Sequence, residues 1–134
     1  MITRDDFFMG RDKKYASELT PEIEANAQVT IDRANRLLTY YYDANPDANR
    51  CKVNSGWRPP AINAATPNAA PKSKHMKGQA VDLSDDGSLY QWCEENLGIL
   101  EMIGLWMENE SHTPTWCHLQ TVAPGSGNRI FYAR

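Results

Sequence analysis

His75, Asp82 and His118 are the residues of this 134-residue chain whose types and placement could hold a metal ion. Only three histidines are present, so each can be weighed singly. His75 lies in the polar stretch SKHMKGQAVD, seven residues before Asp82. A metal-binding helix places its pair at i and i+4, and this spacing differs. It suits a loop residue that folds back over a strand residue, with Gly78 permitting the tight passage between them. Read as a strand, residues 79–84 turn Ala80 and Asp82 to one face and Val81 and Leu83 to the other. A carboxylate then stands beside a small residue, with room for an ion. In Trp116-Cys117-His118-Leu119-Gln120 the same alternation groups Trp116, His118 and Gln120 and sends Cys117 and Leu119 to the opposite face. If the two strands pair with those faces aligned, Asp82 and His118 converge and His75 reaches in from the loop. Two neutral imidazoles and one carboxylate suit Zn²⁺ and leave a fourth position for water, the layout of a catalytic zinc site. The plainer alternative is a solvated loop histidine, a strand-end carboxylate and a hydrogen-bonded core histidine. Spacing alone does not decide between the two.

The elements that must position these residues follow from local signals. Thr20-Pro21-Glu22 reads as a helix start, with Thr as N-cap and Pro in the first turn. Ile31, Ala34, Leu38 and Tyr41 recur at helical spacing, so a helix over 21–43 packs one face on the core until Asn45-Pro46-Asp47 stops it. Residues 51–57 read as a short strand, Pro59-Pro60 as a break, 61–65 as a short helix and 66–78 as loop. Asp85-Asp86-Gly87-Ser88 opens a second helix with Leu89, Trp92, Cys93 and Leu97 on one face and Gly98 as its end. Residues 105–108, 116–121 and 129–132 are further strand candidates, and 124–128 joins the last two at hairpin length. The first twenty residues are polar and mixed, with one apolar cluster at Phe7, Phe8 and Met9. This order predicts a single α+β domain over 1–134, built on a small antiparallel sheet with flanking helices.

Bulk properties exclude several classes. Hydrophobic residues make up 41%, enough for one core, and the net charge is −3 with no Lys/Arg-rich face, which argues against a nucleic-acid partner. No apolar run is long enough to predict a membrane span. Cys51, Cys93 and Cys117 are an odd set without CxxC spacing, as expected of reduced thiols. The N-terminus MITRDD lacks the layout of a secretory signal, so synthesis in the cytoplasm as a monomer is expected.

Ser73-x-His75-x-x-Gly78-x-Ala80-x-Asp82 resembles the SxHxxGxAxD motif of the zinc peptidases that cleave peptidoglycan stem peptides. These are the D-alanyl-D-alanine carboxypeptidases and dipeptidases and the L-alanyl-D-glutamate endopeptidases of phage lysins. Ser55-Gly56-Trp57-Arg58-Pro59 is similar to their upstream S-G-(aromatic)-R segment, and Trp116-x-His118 to their closing W-x-H. The three motifs fall in the family's order over about residues 51–121. The resemblance implies a Hedgehog-like α+β fold, Zn²⁺ on His75, Asp82 and His118, and a peptidoglycan stem peptide as substrate. It further implies that Arg58 binds substrate and steadies developing negative charge, that Ser73 helps bind substrate, and that the enzyme acts on the bacterial cell wall as an endolysin or virion-associated lysin. One departure stands out. Many members carry a Glu or Asp base three residues before the last zinc histidine, where this chain has Thr115. Substitutes lie upstream in MENESHTPTWCH: Glu108, Glu110 and His112, of which Glu110 and His112 are the expected catalytic pair of candidates, swung inward by the Pro114 turn. Thr115 equally suits an alternative, a catalytically impaired zinc-binding module of a phage particle.

Overall fold

The computed structural model describes residues 1–132. Its longest element, α3 (Pro21–Ala44), begins where Thr20 accepts a hydrogen bond from the Ile23 N–H at 3.1 Å. Ala27, Ile31, Ala34, Leu37, Leu38 and Tyr41 form its buried stripe. Two short helices precede it, α1 (Arg4–Phe8) and α2 (Arg11–Lys14), in a region where the sequence pattern shows only an apolar cluster. Phe7 and Phe8 of that cluster are buried, the Phe8 ring lying edge-on to Trp57, whereas Met9 is exposed.

Five strands form one sheet: β1 (Val53–Ser55), β2 (Ala80–Ser84), β3 (Trp106–Glu108), β4 (Trp116–Gln120) and β5 (Ile130–Phe131), in the order β1-β2-β4-β3-β5. The sheet is mixed, because β5 runs parallel to β3 while the other pairings are antiparallel. The expected purely antiparallel sheet and the expected hairpin between the last two strands are therefore corrected. β4 has β2 on one side and β3 on the other, so neither of its edges is left for β5, and the chain through 124–128 carries β5 to the outer edge of β3.

Between β1 and β2 lie α4 (Pro60–Ala65) and a 3₁₀ turn, Lys74–Lys77. The helix expected to run to Gly98 stops earlier: α5 (Ser88–Glu95) ends at Asn96, whose side-chain amide donates to the Trp92 carbonyl at 2.8 Å. A local bond of that kind competes with helix propagation. The chain restarts as α6 (Leu97–Ile103), with Gly98 inside it and Leu97 turned out to solvent. Val81, Leu83, Met107, Cys117 and Leu119 cover one sheet face and pack with α3, α5 and α6 in the core. Asp82, His118 and Gln120 alternate to the other face. Cys51, Cys93 and Cys117 are free thiols, and among the described residues no helix is long and apolar enough to cross a membrane.

Candidate metal centre

β2 and β4 pair so that Asp82 stands directly opposite His118. The expected convergence of their faces is thus present. His75 comes from the Lys74–Lys77 turn, where the Ser73 hydroxyl accepts the His75 backbone N–H at 3.2 Å. Gly78 closes the turn at φ 74, in the left-handed region, and packs so tightly on α3 that a Cβ there would sit 3.0 Å from the Ile23 carbonyl oxygen. Thr30 donates to the Gly78 carbonyl at 2.7 Å and Asn26 to that of Lys77 at 3.0 Å. The long helix therefore holds the loop that delivers His75.

The ligand atoms of His75, Asp82 and His118 all lie within 4.8 Å of one another, and all three residues are buried, so the group could hold a metal ion. Two second contacts choose the nitrogens. His75 Nδ1 lies 2.8 Å from the Gly56 carbonyl oxygen, so it carries the proton and leaves the lone pair on Nε2. That Nε2 is buried, makes no hydrogen bond, and faces Asp82 Oδ1 at 3.2 Å. A lone pair opposed to a carboxylate oxygen is repulsive unless a cation lies between them. Burial pushes the His75 pKa down, against the pull of Asp82, which keeps the ring neutral as a ligand must be.

His118 Nε2 lies 2.9 Å from Gln120 Oε1, and the Gln120 amide is oriented by donation from its Nε2 to the Val122 carbonyl at 2.8 Å. Nε2 is thus the donor, and Nδ1 points at Asp82 Oδ1 across 2.8 Å. Burial disfavours the imidazolium, but the hydrogen bond to Asp82 outweighs it and raises the His118 pKa. For Asp82, burial opposes the anion, yet His75 and His118 beside it hold the carboxyl well below its ordinary range. A proton on His118 Nδ1 and a metal ion would compete for one lone pair, so ion binding would displace that proton wherever His118 carries it. A sound metal centre needs such outer partners, and their loss typically weakens affinity about 10–100-fold. Gln120→Leu is accordingly expected to weaken Zn²⁺ binding by about that factor, with Gln120→Glu near wild type, both read by competition with a chelating chromophore. Equal affinity in Gln120→Leu would show that Gln120 does not orient the ring.

Arg58 enters from the end of β1. Its Nη2 stands 3.7 Å from Asp82 Oδ2, its Nη1 is 3.4 Å from Asn63 Oδ1, and its backbone N–H donates to the His75 carbonyl at 3.1 Å. Asn63 in turn donates to the Ala70 carbonyl at 2.9 Å, tying α4 to the loop below it. Neither Asn63 nor Gly56 carries a signal of its own in the sequence as a support for the site. The expected base candidates divide. Glu110 and His112 sit on an exposed 3₁₀ turn, Glu110–His112, beyond the end of β3. Glu110 borders a small cavity with Asp85, Tyr90, Thr113 and Trp116, and the His112 ring stands 5.9 Å from that of Tyr132. Thr115 is exposed, with its carbonyl accepting the Asp85 N–H at 3.2 Å. Glu108, by contrast, is half-buried on β3. No family model matches the sequence, and no curated protein and no solved structure matches it.

Proposed function

We propose that this chain is a zinc-dependent peptidase that hydrolyses peptide bonds in peptidoglycan stem peptides, on a Hedgehog-like, D-alanyl-D-alanine peptidase-type fold. The observation that carries the reading is the buried His75 Nε2, without a hydrogen-bond partner and aimed at Asp82 and His118, with the cationic Arg58 alongside. Two imidazoles and a carboxylate favour Zn²⁺ over the hard oxygen-seeking cations, and three protein ligands leave room for water or substrate. Zn²⁺ held by His75, Asp82 and His118 would supply Lewis acidity to polarise the scissile carbonyl and acidify water. Ser73, whose hydroxyl caps the turn that carries His75, is assigned as a further substrate contact in this reading. Arg58, fixed by Asn63, offers its guanidinium to the negative charge that grows on the carbonyl oxygen.

The test is metal analysis of untagged protein, then digestion of purified murein with mass analysis of the products. One zinc per chain, lost in His118→Ala, and newly freed stem-peptide termini are expected. Murein left intact by fully zinc-loaded protein would sink the peptidase reading and leave a zinc-stabilised binding module of a phage particle. Arg58→Lys is expected to keep zinc and the melting temperature but to lose activity by about 10²-fold, since an ammonium does not reproduce the planar fork. Full activity in Arg58→Lys would remove Arg58 from the chemistry.

A further inference from the structure

We infer that Glu108 is the general base of this site, a role that rests on the peptidase reading above. β3 lies against β4 with Trp106 opposite Gln120 and Met107 opposite Leu119. Met107 and Leu119 are fully buried in the core, so alternation turns Trp106 and Glu108 to the face that carries His118 and Gln120. Carried one residue further, the same antiparallel register sets Glu108 level with His118. On the far side of β3, Glu108 is paired with Phe131 of β5. Asp82, His118, Glu108 and Phe131 therefore form one row across four strands on one face. The Phe131 ring confirms the row independently, standing 6.2 Å from the His118 ring.

Position in that row suits a base better than a ligand. Strands lie about 4.8 Å apart, so Glu108 stands one strand beyond His118 and two beyond Asp82, at roughly the remove that a water on the ion would span. Phe131 walls its other side. β3 is held there by Met107 N–H donating to the Arg129 carbonyl at 2.9 Å and Asn109 N–H to the Phe131 carbonyl at 2.6 Å. Glu110 and His112 lie outside the row, on the exposed turn that follows.

The step balances as a hydrolysis. Water oxygen bonds to the carbonyl carbon while one of its protons passes to the Glu108 carboxylate. The C–N bond then breaks, and Glu108 returns that proton to the leaving amine nitrogen. The second water proton departs when the new carboxyl group ionises, and Glu108 is again a carboxylate.

The test compares zinc-loaded wild type with Glu108→Gln, Glu108→Asp, Glu110→Gln and His112→Ala in two arms. One arm is turnover of a stem peptide. The other is binding of acetohydroxamate, a small metal chelator that gives up a proton to a neighbouring base when it binds. Glu108→Gln is expected to keep one zinc per chain, to lose kcat by about 10²–10⁴-fold with little change in KM, and to bind acetohydroxamate about tenfold more weakly. Glu108→Asp, which keeps the carboxylate one methylene short, should fall between, and it decides the matter if Glu108→Gln does not load zinc. Glu110→Gln and His112→Ala should match wild type in both arms. Unchanged kcat and unchanged acetohydroxamate affinity in Glu108→Gln would overturn the assignment, as would either other variant producing the loss. If wild type cleaves no stem peptide while Glu108→Gln still weakens acetohydroxamate binding, Glu108 stands as the base and the choice of substrate falls.

Discussion

Asp82→Ala is expected to abolish metal binding and to destabilise the protein even with a chelator present. Asp82 is 8% exposed, and its carboxylate lies 2.8 Å from His118 Nδ1, 3.2 Å from His75 Nε2 and 3.7 Å from Arg58 Nη2. Removing it leaves a largely buried guanidinium and a buried imidazole without their shared anion. Breaking a buried pair in this one-sided way costs about 3 kcal/mol, or roughly 10 °C in melting temperature for a chain of this size. Asp82→Asn keeps the shape and one hydrogen-bonding oxygen, so it should lose the metal equally but less of the stability. With Zn²⁺ at about a thousand times Kd, wild type should gain about 4 kcal/mol and the variants nothing. The pH dependence has a definite sign. Asp82 titrates lower in the folded protein than in the unfolded chain, so its contribution is complete above the ordinary carboxylate pKa and is lost progressively as pH falls below about 4. The gap between wild type and Asp82→Ala melts in chelator should narrow in that window. A variant that still carries one zinc per chain would exclude Asp82 as a ligand.

Gly56→Ala should be as damaging, although Gly56 is not one of the three candidate ligands. A Cβ at Gly56 would stand 2.0 Å from the Phe7 carbonyl oxygen and 2.9 Å from Phe7 Cγ. The obstacle is backbone, so no rotamer relieves it. That carbonyl accepts the Trp57 N–H at 3.3 Å, and Arg11 Nη1 donates to the Trp57 carbonyl at 2.9 Å, so α1 and α2 clamp the segment that leads into Arg58. Gly56 itself offers the carbonyl that fixes the His75 tautomer. Overpacking against a fixed backbone costs about 3 kcal/mol or more, and here the displacement passes directly to His75. Lower solubility, a melt depressed by roughly 10 °C and weakened Zn²⁺ binding are expected together. Gly98→Ala is the control: it lies in α6 with nothing within 4 Å of its Cβ, and should be neutral or up to about 1 kcal/mol more stable. If Gly56→Ala melts and binds zinc like wild type, the N-terminal helices do not seat against the site.

Much of the site was readable in the sequence because alternation in a strand is local. The face of Asp82 follows from Val81 and Leu83, and that of His118 from Cys117 and Leu119, without knowledge of the partner strand. The start of α3 was legible for the same reason, since Thr20 and Pro21 act on their own first turn. Where signals were short or distant, the pattern failed. β5 has two residues, too few to declare a direction, and its parallel seat beside β3 depends on which strand edge is already taken. Asn96 ends α5 through one side-chain bond that a periodicity centred on Leu97 and Gly98 does not register. Among Glu108, Glu110 and His112 the sequence offers three polar side chains within five residues and no ranking. Only the order of strands sets Glu108 in line with His118 and leaves the other two on an exposed turn. The same holds for Gly56, Asn63 and Gln120. The sequence by itself pointed to His75, Asp82 and His118 and to the faces of the strands that carry Asp82 and His118. The tertiary structure decided which nitrogens face into the group that could hold an ion, which carboxylate shares a row with His118 and what holds Arg58 beside Asp82, because those choices depend on contacts between segments far apart in the chain.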